Sequence, residues 1–322
     1  MQTLRSAWHV AVLALVGFEA GAAEYGLPTE HDVIGEVQRI SARHEDTFVA
    51  LARRHGVGFE ELKLANPGVD AWLPGEGTEV MIPTRFVLPR APREGIVVNV
   101  AELRLYYFPK DEPHKVYTYP ISIGRMDWST PLGRTTIVAK AENPSWYPPE
   151  SIRQEHAARG DFLPSVVPPG PNNPLGKHSL RLGLPGYLIH GTNRPSGVGM
   201  RVTHGCIRMF PEDVEAMFRK VPVGTPVRIV TQPFKLGRGE AGEWVLEVHP
   251  PLPEELEAGM WTLTDLTREI VAVTDEGDAR IDWDAAESVL GNSLGVPVPV
   301  SGAALPRPLE AASSLPRDAD EV

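Results

Sequence analysis

The chain holds one cysteine in 322 residues, Cys206, with His204 two positions before it and His190 further upstream. A thiol is a useful nucleophile only where its pKa is lowered or its proton is taken away. Imidazole titrates in the range that allows either. Gly191, Gly197, Gly199 and Gly205 let the intervening backbone fold back, so that His190 can approach Cys206. This pattern predicts nucleophilic catalysis at Cys206 with His190 as general base; a cysteine merely packed in the core is the plainer alternative. His204 either tunes the thiolate or holds the loop, and the residues alone leave both open. The N–H groups of Gly205 and Cys206 are suited to receive an oxyanion, and losing one such donor typically costs about 2.7–4 kcal/mol. Arg208 offers a planar, permanently charged fork to a substrate carboxylate, or an ion pair to Glu212 or Asp213. A metal bound by His190, His204 and Cys206 is the chemical rival. Its spacing lacks the regularity of C-x-x-C or H-E-x-x-H and a fourth ligand is missing, so neither metal nor cofactor is expected.

These groups need elements to hold them. Tyr187 to His190 reads as the end of a buried strand, and Pro211 to Lys220 as a helix with proline and acidic residues in its first turn and basic residues in its last. The thiol therefore falls on a loop between strand and helix, where functional groups concentrate. Short β runs recur at 96–100, 104–107, 116–123, 135–139, 179–182 and 227–230, separated by turn residues, so the central region is mainly β with a few helices. The insert from Lys140 to Lys177, rich in Pro, Gly and Asn, carries Trp146, Tyr147 and Phe162 and reads as a packed flap over the site.

Upstream, residues 37–84 form a compact β-α-α-β unit. Thr47 caps a helix from Phe48 to His55 that Gly56 ends; a second helix, Phe59 to Ala65, stops at Asn66-Pro67-Gly68. Strands near Val37–Ile40 and Val80–Ile82 flank them. Residues 24 to about 37, 84–94 and 232–242 read as linkers. A small C-terminal extension spans 240–295, and 296–322, rich in Pro, Ser and Ala, reads as a disordered tail. At the N-terminus, Arg5, an apolar run from Ala7 to Phe18 and the small residues around Ala22 read as an export signal over residues 1–23, too short to anchor the chain in a membrane. With a net charge of −11, nucleic acid and anionic lipid are poor partners. One cysteine in an exported chain permits no internal disulfide.

The combination of His190-Gly191 with Thr203-His204-Gly205-Cys206, continued by Ile207-Arg208-Met209, resembles the signature of the L,D-transpeptidase (YkuD-type) catalytic domain, with Thr203 where Ser is commoner. Residues 96–107 resemble its opening strand pair, and Pro131 to Thr136 its Thr-Pro-x-Gly turn. The likeness covers about 95–231 and implies a β-sandwich catalytic domain with a few helices. It also implies that the Gly191 carbonyl, rather than a carboxylate, orients His190. By the same likeness Thr203 and Arg208 contact substrate, Arg208 meeting a diaminopimelate carboxylate, and the enzyme forms a cysteine thioester with a peptidoglycan stem tetrapeptide. The acceptor would be another stem, a lysine of an envelope protein, or water (an L,D-carboxypeptidase). Acylation by carbapenems is implied too. The 37–84 unit resembles a LysM module, with Glu45-Asp46 where Gly-Asp is usual, which implies glycan binding near Asp46-Thr47 and Asn66 to Leu73. Together these readings imply a periplasmic wall enzyme, or, as the alternative, a non-catalytic wall-binding protein.

Overall fold

The computed structural model describes residues 23–274 and 280–302. The export signal, apart from Ala23, and the tail beyond Gly302 lie outside the described residues.

The long strand Gly133–Glu142 organises the nine-stranded main sheet. Its first residues pair antiparallel with Pro226–Val230; past a register shift between Ile137 and Ala139, the remainder pairs antiparallel with His178–Leu182. A bulge of this kind bends a strand and increases its twist, so the sheet curls into two halves. From Pro226–Val230 one half continues through Gly95–Asn99, Arg104–Phe108 and Lys115–Pro120 to Ala23–Gly26 at the edge. The other runs through His178–Leu182 and Leu188–His190 to the two-residue strand Ile207–Arg208. Period-two alternation sends Ile96, Val98, Leu105, Tyr107 and Tyr119 inward, where they meet Leu180, Ile189 and Ile207 of the other half and Val214 and Met217 of the helix Pro211–Lys220. Burying each such side chain favours folding by about 1.5–3 kcal/mol.

The other face of the first half is covered by residues that the sequence reading assigned to linkers. Val33–Gly35 pairs with Arg85–Val87, and Ile34, Phe86 and Leu88 pack on Val97, Tyr106 and Phe108. Ala23–Gly26 adds an edge strand, and Phe234–Arg238 pairs with Trp244–Val248. These strands have only three to five residues, and all but the hairpin of Phe234–Arg238 have partners distant in sequence, so composition dominated the reading. The tail reading is corrected as well over 296–302. Val298–Pro299 pairs with Leu246 and Val245, and Val296 and Val300 are buried; valines at alternate positions, not the prolines between them, decide the conformation. Helices Leu263–Thr274 and Trp283–Asn292 complete the C-terminal unit.

In the N-terminal unit the strands Gln38–Ser41 and Glu79–Ile82 pair antiparallel around helices Phe48–His55 and Phe59–Ala65. The Thr47 hydroxyl caps the first helix by accepting from Ala50 N–H, and Gly56 ends it with φ +64°. Arg104, on the strand Arg104–Phe108, is fully buried. Its guanidinium forks onto Glu61 of the second helix at 2.6 and 2.7 Å. Among the described residues no helix is long and apolar enough to cross a membrane.

Candidate active site

Parallel pairing sets Ile189 against Ile207 and His190 against Arg208. Ile189 and Ile207 point into the core, so alternation turns His190, Arg208 and Cys206 to the opposite side. Cys206 stands in the bend immediately before the strand Ile207–Arg208. Cys206 is partly exposed, and its Sγ lies 3.6 Å from the Gly186 carbonyl.

His190 is buried, and its Nδ1 lies 2.6 Å from Gly191 O. A carbonyl can only accept, so Nδ1 carries the proton and Nε2 is left as the acceptor. Burial, then the Arg208 charge, lowers the His190 pKa to about 3. Burial also pushes the Cys206 thiol up. The resting pair is therefore a neutral thiol and a neutral imidazole, not a standing thiolate and imidazolium.

Gly205 has φ +97°, and a Cβ there would lie 2.8 Å from Tyr187 Cε1, so both conformation and space call for glycine. The Gly205 carbonyl accepts from Thr130 Oγ1 at 2.8 Å, while that oxygen accepts from Gly124 N–H at 3.1 Å. Among the described residues neither the Gly205 nor the Cys206 N–H meets a protein acceptor. Thr203 departs from expectation: it is buried, and its hydroxyl donates to Cys206 O at 2.6 Å, so it fixes the turn around the thiol instead of facing substrate. His204 Nε2 lies 3.0 Å from Glu155 Oε2, and Trp128 stands edge-on to its ring with centroids 5.2 Å apart. Glu155 belongs to the flap helix Glu150–Ala157 and also accepts from Arg125 at 2.6 Å; that bond, ahead of His204, draws its pKa down to about 2.

Arg208 pairs with neither Glu212 nor Asp213. Glu212 receives a bidentate fork from Arg53 of the N-terminal unit at 2.7 and 2.9 Å, and Arg208 has no carboxylate partner among the described residues. Its buried Nε is without a hydrogen-bond partner. Among the described residues the one convergent group of metal-capable side chains is Glu102, Glu247 and His249, with Lys235 Nζ bonded to both carboxylates.

Glu155, Arg125 and Thr130 were not singled out from sequence. Thr130 carried a signal, since it opens the Thr-Pro-x-Gly turn; Glu155 carried none, because the chain separates it from His204 by 49 residues.

Residues 93–229 match the family described as the L,D-transpeptidase catalytic domain (YkuD). The probable L,D-transpeptidase YcfS of Escherichia coli K12 is 42% identical over 255 residues, which cover 78% of this chain and 79% of the relative. This chain belongs to the L,D-transpeptidase family. The probable L,D-transpeptidase YbiS of the same strain is 39% identical over 297 residues, 89% of this chain and 96% of the relative. The probable L,D-transpeptidase ErfK/SrfK of Salmonella typhimurium LT2 is 38% identical over 294 residues, 89% and 94% respectively. The mainly β L,D-transpeptidase domain thus carries further units on both sides, and the family acts on peptidoglycan.

Proposed function

We propose that this L,D-transpeptidase works through a Cys206 thioester in the periplasm. The observation that carries the reading is the neutral His190, its Nδ1–H held by Gly191 O and its Nε2 free to accept on the face it shares with Cys206. Sγ attacks the carbonyl carbon of the third stem residue as its proton passes to His190 Nε2. The carbonyl electron pair moves onto oxygen, which the Gly205 and Cys206 N–H groups receive. Collapse breaks the C–N bond to the terminal D-Ala, whose nitrogen takes the proton from His190. An amine then attacks the thioester, gives a proton to His190, and restores the thiol. That amine belongs to a neighbouring stem or an envelope protein. Arg208, without a carboxylate of its own, receives the free carboxylate at the other end of the diaminopimelate residue whose carbonyl is attacked. The β-α-α-β unit, with Trp72 and Leu73 exposed after its second helix, serves as the glycan-binding module.

Intact-mass spectrometry tests this. Incubation with a stem tetrapeptide or a carbapenem should add one acyl group, and Cys206→Ala should remain folded and gain none. An adduct on Cys206→Ala, or none on the parent enzyme, sinks the proposal.

A further inference from the structure

Arg208 stands near the thiol, and the turn that carries a second arginine, Arg194, packs against it. Arg208 projects from the strand that follows Cys206, on the same side. The turn from Arg194 to Gly197, closed by Gly197 N–H to Arg194 O at 3.3 Å, lies directly against it, since a Cβ at Gly197 would fall 3.5 Å from Arg208 Nη1. Arg194 is exposed, and among the described residues no carboxylate pairs with it or with Arg208. Three arginines around the site are matched: Arg53 with Glu212, Arg125 with Glu155, Arg201 with Glu254. In a protein of net charge −11 an acidic partner would have been easy to supply. Like charges near one another disfavour each other, and the Arg194 charge adds to burial in lowering the Arg208 pKa.

We infer that Arg194 and Arg208 together form a two-carboxylate subsite, so that the enzyme selects donor peptides with free carboxylates on two adjacent residues. This rests on the thioester reading above. Arg208, two residues after Cys206, takes the free carboxylate at the other end of the diaminopimelate residue whose carbonyl is attacked. Arg194, further out and exposed, takes the free carboxylate of the preceding glutamyl residue. A single carboxylate would leave one guanidinium unmatched; two convert the mutual repulsion into paired, charge-assisted hydrogen bonds.

The test compares three tetrapeptides as donors: one with both carboxylates free, one amidated on diaminopimelate, one amidated on glutamate. Acylation of Cys206 is followed by intact mass over time in the parent enzyme, Arg194→Gln and Arg194→Lys. Glutamate amidation should slow acylation of the parent about five- to tenfold. In Arg194→Gln the free and glutamate-amidated donors should react at equal rates, with the diaminopimelate discrimination kept. Arg194→Lys should restore part of the difference, and added salt should narrow it in the parent. If the parent acylates but ignores glutamate amidation, or Arg194→Gln discriminates as the parent does, the subsite is overturned while the thioester mechanism stands. If no donor acylates the parent, the mechanism itself fails. Because Arg194 is exposed, loss of folding does not confound the result.

Discussion

At the residue scale the site depends on two neutral groups. Buried His190 has its pKa lowered to about 3, so it stays uncharged through the neutral range, and the buried thiol is pushed up instead of down. A group that is uncharged above pH 3 cannot stabilise a thiolate as a standing ion pair. Alkylation of Cys206 by iodoacetamide should therefore rise tenfold per pH unit from about pH 6 to 8, tracking the small thiolate fraction. It should show no plateau on the acid side. A thiolate–imidazolium pair would give the reverse, a rate already flat below pH 6, and that profile would refute the assignment. By the same sign, the acid limb of kcat/KM should carry no inflection near 6.5, the value of an unperturbed histidine.

At the scale of elements, the position of the thiol comes from register and from the flap. The strand ending at His190, the helix from Pro211 and the glycine at 205 could be read in the sequence, because alternation, end charges and glycine spacing are local signals. Helices Phe48–His55 and Phe59–Ala65 were legible for the same reason. What could not be read is pairing across the chain. Val298–Pro299 and Val33–Gly35 are strands because distant partners exist, and Thr203 faces Cys206 O because of a turn whose geometry composition does not encode. Glu155 is the sharpest case. It joins the flap helix to His204 and Arg125, so the flap holds the loop that carries Cys206. Glu155→Gln keeps the shape and removes the charge from both contacts, and kcat/KM for the tetrapeptide should fall roughly fivefold with the melting temperature little changed, as befits half-buried ion pairs still screened by solvent. Unchanged kinetics would mean that the flap contact is incidental.

At the scale of the molecule, the appended units converge on the segment between His190 and Cys206. Gly199 approaches Gly58 so closely that a Cβ on it would lie 2.3 Å from Phe59 N, its carbonyl accepts from Glu60 N–H at 3.2 Å, and Met200 packs on the N-terminal core. From the C-terminal side, Glu254 holds Arg201 with a bidentate pair at 2.6 and 2.9 Å. Beneath these contacts the N-terminal unit is locked by the buried Arg104–Glu61 fork, with Arg104 also 4.2 Å over the Phe86 ring and Glu61 capping Gly58 N–H. Removing one partner of such a pair strands a charge in a dry interior and costs about 3–5 kcal/mol, whereas replacing both with apolar groups is often near neutral. Glu61→Ala should thus lose stability by that order in chemical denaturation, and Glu61→Leu with Arg104→Met should recover most of it. If the fork also places Gly58 against Gly199, the double variant, though stable, should still acylate more slowly than the parent, because the lost cap on Gly58 N–H loosens the loop that leads to Cys206. A double variant equal to the parent in both stability and acylation would reduce the buried pair to a fastening with no bearing on the thiol.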